Sequence, residues 1–266
     1  MSLRLVATDL DGTIVRRDQT IADRTVAALR ACVDAGVDVV FVTGRPPRWM
    51  RQVADATGHS GTAVCANGAL VWDLAAERTV RAKEIAADVV LEVADRLGAA
   101  LPGVAFAVES LRGFRHTPAY VPRWDARRDH VVGELPDLLA DAPGVVKLLA
   151  RLEGGSSDAM LAVARVALDG LARPTHSNAA DGLLEVSALG VSKAATLAEL
   201  AADRGIAASE VVAFGDMPND LEMLAWAGVG YAMAGGHPDA VAAADDVAPP
   251  CEDDGVAQVL EQLLSR

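Results

Sequence analysis

The stretch Leu3-Arg4-Leu5-Val6-Ala7-Thr8-Asp9-Leu10-Asp11-Gly12-Thr13 decides how the rest of the chain is interpreted. Its first six residues form a mostly apolar run, which predicts a buried strand of a parallel sheet. Asp9 and Asp11 follow where that strand ends, and Gly12 permits a sharp turn. Ligands of open α/β sheets bind beyond the carboxyl ends of the strands. The two carboxylates therefore indicate either a catalytic site that holds a divalent cation or an ordinary Asp-Gly turn.

The composition limits the class of protein. The chain has 266 residues, of which 52% are hydrophobic and 4% aromatic, so we expect a core of small aliphatic side chains. Its net charge of −13 argues against nucleic acid or an anionic membrane surface as a partner. Cys32, Cys65 and Cys251 are far apart and include no CxxC pair, which favours free thiols in a reducing compartment. No early signal pattern and no membrane-length apolar run is visible, so the sequence predicts a cytoplasmic protein.

The order of the predicted strands and helices divides the chain into two domains. Strands and helices alternate from residue 3 to about residue 73 and again from residue 192, which predicts parallel strands joined by right-handed crossovers. The intervening segment lacks this alternation. We therefore predict an α/β domain formed by residues 1–82 and 186–266, interrupted by an inserted α+β domain over residues 83–185.

Further polar groups follow the other strands of the predicted α/β domain. Thr43 and Gly44 follow the second strand, Lys193 begins the helix after the insertion, and the turn Gly215-Asp216-Met217-Pro218-Asn219-Asp220 follows a later strand. Each group alone has an ordinary structural explanation, as a turn hydroxyl, a solvated lysine or a capping acid. All of them are expected at one edge of a parallel sheet, however, where they would face a single crevice. This conjunction favours a site that handles phosphate.

The motifs together resemble those of the haloacid dehalogenase-like phosphohydrolases, in particular the Cof-type branch with a large cap inserted after the third core strand. The matching segments are Asp9-Leu10-Asp11-Gly12-Thr13, Thr43-Gly44-Arg45, Asn67-Gly68-Ala69, Gly190-Val191-Ser192-Lys193, Gly215-Asp216-Met217-Pro218-Asn219-Asp220, Ala232-Met233 with His237-Pro238, and Asp254-Gly255-Val256-Ala257. The resemblance implies a Rossmann-like three-layer core with a parallel sheet and an α+β cap. One departure is visible, because Ala234-Gly235-Gly236 stands where the family usually has Gly-Asn-Ala.

The resemblance and the chemistry of the side chains suggest a role for each acid. Asp9 is expected to attack phosphorus and form an aspartyl-phosphate. Asp11 is expected to protonate the leaving oxygen and then to deprotonate the attacking water. The resemblance implies Mg²⁺ bound by Asp9, the backbone carbonyl of Asp11, and Asp216. Asp220 is expected to orient Lys193 or a metal-bound water rather than to bind the metal.

The transferred phosphoryl group needs donors around its oxygens. The expected phosphate-binding residues are Leu10, Thr43, Gly44, Lys193 and Asn219, because developing charge on those oxygens must be stabilised.

The substrate is the part of the function that the sequence describes least. We expect the inserted domain to select the leaving group of a small phosphate ester such as a sugar phosphate. Its candidate contacts are Arg115, Trp124 and Asn178. Arg115 and Trp124 belong to a basic, partly aromatic stretch that a solvated loop also explains. Phosphoryl transfer to a second sugar and a catalytically silent phosphate-binding module remain alternatives to hydrolysis. The sequence sets no oligomeric state, and a monomer is compatible with it.

Overall fold

A computed structural model describes residues 2–122, 130–141 and 144–265. The chain forms two compact units. The first domain comprises Met1–Arg81 and Ser192–Arg266, and the second domain comprises Ala82–Val191. The second boundary lies at 191/192 instead of the expected 185/186. The reason is that the strand Leu183–Ala188 pairs on both sides with strands of the second domain and cannot be divided between the two.

The first domain is built on an eight-stranded sheet. Its strands are β1 (Leu5–Thr8), β2 (Asp38–Val42), β3 (Thr62–Cys65), β4 (Leu70–Asp73), β5 (Arg78–Ala82), β12 (Val211–Gly215), β13 (Val229–Met233) and β14 (Asp246–Ala248), in the order β14-β13-β12-β1-β2-β3-β4-β5. The pairs from β14 to β3 are parallel, and β4 returns antiparallel to β3. The predicted α/β fold class is confirmed.

Helices cover this sheet because they connect its parallel strands. They are α1 (Asp23–Asp34), α2 (Met50–Thr57), α6 (Lys193–Asp203), α7 (Leu221–Trp226), α8 (Pro238–Ala243) and α9 (Gly255–Leu264). Leu5 and Ala7 of β1 pack in one hydrophobic cluster with Leu197 of α6 and Met223 of α7. Every residue of β1 is buried, as a central parallel strand requires. The packing fixes the carboxyl ends of β1, β2 and β12 beside one another.

The second domain has a six-stranded sheet with helices on one face. Its strands are β6 (Ala105–Ser110), β7 (Gly113–His116), β8 (Val131–Val132), β9 (Val145–Arg151), β10 (Ala172–Thr175) and β11 (Leu183–Ala188), in the order β10-β11-β9-β6-β7-β8. Its helices are α3 (Ala87–Ala100), α4 (Leu135–Ala140) and α5 (Ser157–Ala167). Their apolar side chains pack on Leu148 and Ala150 of β9. Most neighbouring strands are antiparallel, which agrees with an α+β architecture.

The sequence prediction missed several short elements. The sequence pattern predicts no strand at residues 113–116, yet β7 lies there and pairs antiparallel with β6 across a tight connection. Strands β4 and β5, helices α4 and α8, and strand β14 were also not predicted. Each is short, so hydrophobic periodicity over so few residues cannot distinguish it from a loop.

None of the helices in the described parts of the chain is both long and apolar enough to cross a membrane. Cys32, Cys65 and Cys251 are free thiols, the first two buried and the third half-buried.

Candidate active site

The first residue of the site is set by the end of β1. The Asp9 amide donates to the carbonyl of Phe214 in β12 at 2.9 Å, which continues the parallel pairing by one residue. The Asp9 side chain is 7% exposed. Beyond it, Gly12 adopts a φ of +80°, and a Cβ atom at that position would collide with the Asp216 carboxylate. Only glycine permits this turn to approach Asp216 so closely.

A buried lysine joins two of the predicted acids. Ser192 caps α6 by accepting the amide of Ala195, which begins the helix at Lys193. The Lys193 Nζ atom lies 2.7 Å from Oδ1 of Asp9 and 2.7 Å from Oδ1 of Asp220. Burial alone would lower the pKa of Lys193, but Asp220 and Asp9 outweigh it, so its pKa is raised and the ammonium stays charged. The structure thus brings together three residues that the sequence predicted separately.

Asp220 uses both of its carboxylate oxygens within the protein. Oδ1 accepts from Lys193, and Oδ2 accepts the backbone amides of Asp216 and Met217, each at 3.1 Å. The side chain is fully buried. It therefore fixes the loop that carries Asp216 and orients Lys193 at the same time. This arrangement supports an orienting role for Asp220 rather than direct metal binding.

The acids at this edge of the sheet create an unfavourable concentration of negative charge. Carboxylate oxygens of Asp9, Asp216 and Asp220 all lie within 4.8 Å of one another. Burial raises the pKa of Asp9 to about 7, with Lys193 opposing the shift and Asp220 adding to it. Burial, together with Asp9 and Asp220, raises the pKa of Asp216 to about 8. A divalent cation would remove this cost, and an all-oxygen donor set suits a hard ion such as Mg²⁺. The residues present therefore fit a metal of that class.

Asp11 lies outside this buried cluster. Its side chain is about half exposed and forms a two-point ion pair with Arg45, in which Nε of Arg45 donates to Oδ2 at 2.8 Å and Nη2 donates to Oδ1. Arg45 also donates to the Gln19 amide oxygen at 2.9 Å. The sequence analysis included Arg45 in a motif but gave it no role. Its position beside a predicted proton carrier could not be read from a spacing of 34 residues.

The predicted phosphate-binding residues lie on neighbouring turns. Thr43 is buried after β2, and its hydroxyl accepts the amide of Arg45 at 3.0 Å. The Asn219 side-chain amide donates to Oδ1 of Asn67 at 3.0 Å, whereas its own Oδ1 is buried with no hydrogen-bond partner among the described residues. Asn67 adopts a left-handed conformation with φ of 56°. It is a second residue that sequence reasoning left without a role, although asparagine is one of the few residues that favour this conformation.

Two more of the predicted phosphate-binding residues, Leu10 and Gly44, lie in the turn after β1 and at the end of β2. The Leu10 carbonyl accepts the amides of Thr13, Ile14 and Val15, which closes the turn after β1. Gly44 lies between Thr43 and Arg45 at the end of β2.

The predicted contacts in the second domain are engaged locally. Arg115 on β7 donates to the carbonyl of Asp141 at 3.1 Å, and the exposed Asn178 accepts the amide of Ala180 at 3.0 Å. Trp124 lies outside the described residues. That these side chains contact a substrate stays a prediction.

A Rossmann-like sheet with acids and a lysine gathered at its carboxyl edge defines an enzyme class that handles phosphoryl groups. The family model for haloacid dehalogenase-like hydrolases matches residues 6–260, and the chain belongs to this family. The expected class of enzyme, a phosphatase of this family, is thereby confirmed.

Individual relatives agree with this placement. The chain is 28% identical over 279 residues to 5-amino-6-(5-phospho-D-ribitylamino)uracil phosphatase YcsE of Bacillus subtilis (strain 168), covering 99% of this chain and 97% of that protein. It is 28% identical over 269 residues to the HMP-PP phosphatase of Serratia proteamaculans (strain 568), covering 98% and 95%. The structure of a haloacid dehalogenase-like hydrolase from B. subtilis superposes with a TM-score of 0.84 at 21% identity, covering 98% of this chain and all of that one. This last likeness concerns the fold.

Proposed function

We propose that this protein hydrolyses phosphomonoesters of small metabolites through an aspartyl-phosphate on Asp9, with Mg²⁺ as cofactor. The observation that carries the proposal is the buried Asp9 carboxylate, held by Lys193 at 2.7 Å and lying beside Asp216. The names of the relatives, which are phosphatases of small phosphorylated metabolites, support the same class of substrate.

Asp9 is the proposed nucleophile because its contacts limit the orientations that its carboxylate can take. Lys193 holds one carboxylate oxygen, and the strand-end amide holds the backbone. In the first step a carboxylate oxygen of Asp9 forms a bond to phosphorus while the bond from phosphorus to the leaving oxygen breaks. In the second step water attacks phosphorus, the bond to Asp9 breaks, and inorganic phosphate leaves. Dividing hydrolysis in this way replaces one difficult displacement by two easier ones.

Asp11 is the proposed proton carrier for both steps. It gives a proton to the leaving oxygen in the first step and takes one from the attacking water in the second. Its partial exposure leaves it accessible to the leaving group, in contrast to the fully buried Asp220. Arg45 holds both of its oxygens and thereby limits the orientations that the carboxylate can take.

The metal and the donors complete the proposed site. Asp9, Asp216 and the backbone carbonyl of Asp11 would hold Mg²⁺, which when bound neutralises charge on the phosphoryl group. Lys193, Thr43, Asn219 and the amides of Leu10 and Gly44 would bind the phosphoryl oxygens. Asn219 would bind a phosphoryl oxygen through its Nδ2 group, which donates to Oδ1 of Asn67 in this structure. A cytoplasmic location belongs to the same proposal and is supported by the three free cysteines.

The experiment that tests the proposal is a panel of phosphate esters assayed with Mg²⁺. It should contain sugar phosphates, nucleotides and cofactor phosphates, with phosphate release as the readout. We expect turnover of several small esters. Repeating the assay with a sugar bisphosphate present, followed by product analysis, distinguishes release to water from transfer to a second hydroxyl. No turnover of any ester would contradict the proposal and favour a silent phosphate-binding module.

Replacing Arg45 by Met should affect esters according to their leaving groups. Without the two-point ion pair, Asp11 loses its fixed orientation and protonates the leaving oxygen less efficiently. Alkyl phosphates, whose alkoxide leaving groups need that proton, should lose about 10- to 100-fold in kcat/KM, which reports the step that expels the leaving group, since general acid–base catalysis contributes roughly 10²–10⁴-fold. An aryl ester such as p-nitrophenyl phosphate should lose much less.

Arg24→Met is the matched control for Arg45→Met. Arg24 forms a two-point pair with Glu261, at 2.8 and 2.6 Å, on the surface of the same domain. This variant should retain wild-type rates on both kinds of ester. Equal losses on alkyl and aryl esters in Arg45→Met would reject the role of Arg45 in orienting Asp11.

A further inference from the structure

Three cationic side chains are buried in the described part of the chain: Lys193, Lys147 and Arg151. Lys193 lies between two carboxylates in the first domain. Lys147 of β9 forms an ion pair with Glu185 of β11, with Nζ 2.6 Å from Oε1. Arg151 forms no such ion pair with any of the described residues. A buried charge normally has a carboxylate or another fixed partner, because removing it from water is costly.

The environment of Arg151 leaves much of its guanidinium unused. The residue ends β9 and is 2% exposed. Its Nη1 donates to the carbonyl of Asp181 at 3.3 Å, and its Cζ lies 5.4 Å from the centre of the Tyr120 ring. Its Nε and Nη2 atoms are buried and have no hydrogen-bond partner among the described residues. Such donors are rare in native proteins, and each needs an explanation.

The sheet face that carries Arg151 also holds other buried polar atoms that lack a hydrogen-bond partner among the described residues. Side chains alternate along β9, so Lys147 and Arg151 lie on the face opposite Leu148 and Ala150, which pack under the helices. His116, on the same face, is 6% exposed, and its ring lies 5.9 Å from that of Tyr120. The Nε2 atom of His116 is buried and has no hydrogen-bond partner in the described part of the chain, and the same is true of the hydroxyl of Ser187 on β11. Unused polar atoms thus gather on one face of the second domain.

We propose that Arg151 binds an oxyanion, a carboxylate or a phosphate, of a small-molecule ligand on this face of the second domain. A guanidinium presents parallel N–H groups that match two oxygens of such a group, and neither Nε nor Nη2 has a hydrogen-bond partner among the described residues. The carboxylate of the neighbouring strand β11, Glu185, already accepts from Lys147. Where the oxyanion is a second acidic group of the substrate, the inference rests on the proposed function and refines its substrate class. A separate anionic effector is the other source.

His116 adds a preference for a hydroxyl near the anion. Its Nδ1 lies 2.8 Å from the carbonyl of Thr117, which can only accept, so Nδ1 carries the proton. The Nε2 atom is then left to bind a polar group of the ligand. A ligand hydroxyl can serve it either as donor or as acceptor. The recognised class is therefore a hydroxylated acid.

Two esters of equal size test this assignment in the full chain. 3-Phosphoglycerate and glycerol 3-phosphate differ in having a carboxylate or a hydroxymethyl group at the same carbon. We expect wild type to prefer the carboxylated ester. In Arg151→Met, kcat/KM for that ester should fall about 10- to 100-fold through KM, whereas glycerol 3-phosphate should change by less than about 3-fold. Arg151→Lys should restore part of the preference, because it returns a charge without the planar fork.

Calorimetric titration with D-glycerate, which has no phosphate, identifies the source of the anion. Glycerate binding that Arg151→Met abolishes, together with the ester preference, assigns the site to the substrate. The same loss of binding without an ester preference assigns it to a separate effector. The proposal would be overturned by two results together. Wild type and Arg151→Met would bind glycerate equally, or both would fail to bind it, and the two proteins would show the same ratio of kcat/KM values for the two esters. If wild type hydrolyses no ester, the proposed function fails, but the titration still decides the anion site.

Thermal unfolding distinguishes a ligand site from a structural arginine. Removing an unpaired buried charge should leave the unfolding midpoint of Arg151→Met, measured without glycerate, equal to or above that of wild type. A midpoint well below wild type would mean that Arg151 serves the fold, and would overturn the proposal.

Discussion

Asp9→Asn should abolish phosphate release while the protein stays folded. The amide has nearly the same shape as the carboxylate but cannot attack phosphorus, so the step that forms the aspartyl-phosphate is lost. Removing a catalytic nucleophile costs on the order of 10⁴- to 10⁶-fold in kcat. We expect a loss within this range for every ester that wild type hydrolyses.

The fold should tolerate this change because the charge at position 9 is unfavourable without a metal. Burial raises the pKa of Asp9 to about 7, and Asp220 adds to the shift. Lys193 retains its bond to Asp220 when Asp9 is replaced. The unfolding midpoint of metal-free Asp9→Asn at pH 8 should therefore be no lower than that of wild type, as measured by circular dichroism.

Two observations check the nucleophile directly. Acid-quenched wild type, taken during turnover, should yield a phosphorylated peptide that contains Asp9, and Asp9→Asn should yield none. Asp34→Asn, an exposed carboxylate at the end of α1, is the matched control and should keep wild-type turnover. Phosphate release near the wild-type rate by Asp9→Asn would exclude Asp9 as the nucleophile.

Much of the first domain could be predicted from sequence because local patterns determine it. The apolar run before Asp9 became β1, and the helix expected after the insertion begins at Lys193 with Ser192 as its cap. Parallel pairing then places the strand ends at one edge without further information. The motif residues Asp9, Asp216 and Asp220 accordingly lie within 4.8 Å of one another.

The contacts within the site could not be predicted, because they join distant parts of the chain. The Lys193–Asp9 bond spans 184 residues, and its length depends on how α6 packs on β1. The two-point pair between Arg45 and Asp11 likewise depends on the relation of two separate turns. The unpaired Nε and Nη2 atoms of Arg151 could not be predicted either, because the sequence does not show that no described residue accepts a hydrogen bond from them.

The departure at residues 234–236 has a conformational explanation. Gly235 adopts a φ of +86°, a left-handed conformation that glycine adopts freely and asparagine tolerates. A Cβ atom at Gly236 would lie 2.8 Å from the carbonyl oxygen of Asp216. Glycine at this position therefore lets the chain pass close to the backbone of Asp216.

Removing the divalent metal should abolish activity, and Mg²⁺ should restore it. Without a cation, the crowded carboxylates raise the pKa of Asp9 to about 7 and that of Asp216 to about 8. Both groups are then partly protonated near neutral pH, so the nucleophile is impaired and the donors of the metal site are incomplete. Treatment with EDTA followed by dialysis should leave less than about 1% of turnover, since metal catalysis supplies several kcal/mol.

The same cation should stabilise the first domain in a pH-dependent way. Asp9 and Asp216 bind protons more tightly in the folded protein than in the unfolded chain, so metal-free stability decreases as the pH rises from the ordinary pKa of 3.8 to about 7 to 8 and levels off above that. Metal binding competes with those protons and should therefore gain strength over the same range. At a Mg²⁺ concentration of 100 times Kd, the gain is about 2.7 kcal/mol, roughly 5–10 °C in the unfolding midpoint.

Asp216→Asn distinguishes a specific site from general binding to an acidic surface. It removes one donor from the cluster, so both the Mg²⁺-dependent activity and the Mg²⁺-dependent shift in midpoint should be lost. Asp203→Asn, an exposed carboxylate of α6 that pairs with Arg81, should keep both. Full activity in protein verified to be free of metal would contradict the cofactor assignment. If the Mg²⁺-dependent shift in the unfolding midpoint survives in Asp216→Asn, other carboxylates bind the cation and the proposed donor set is wrong.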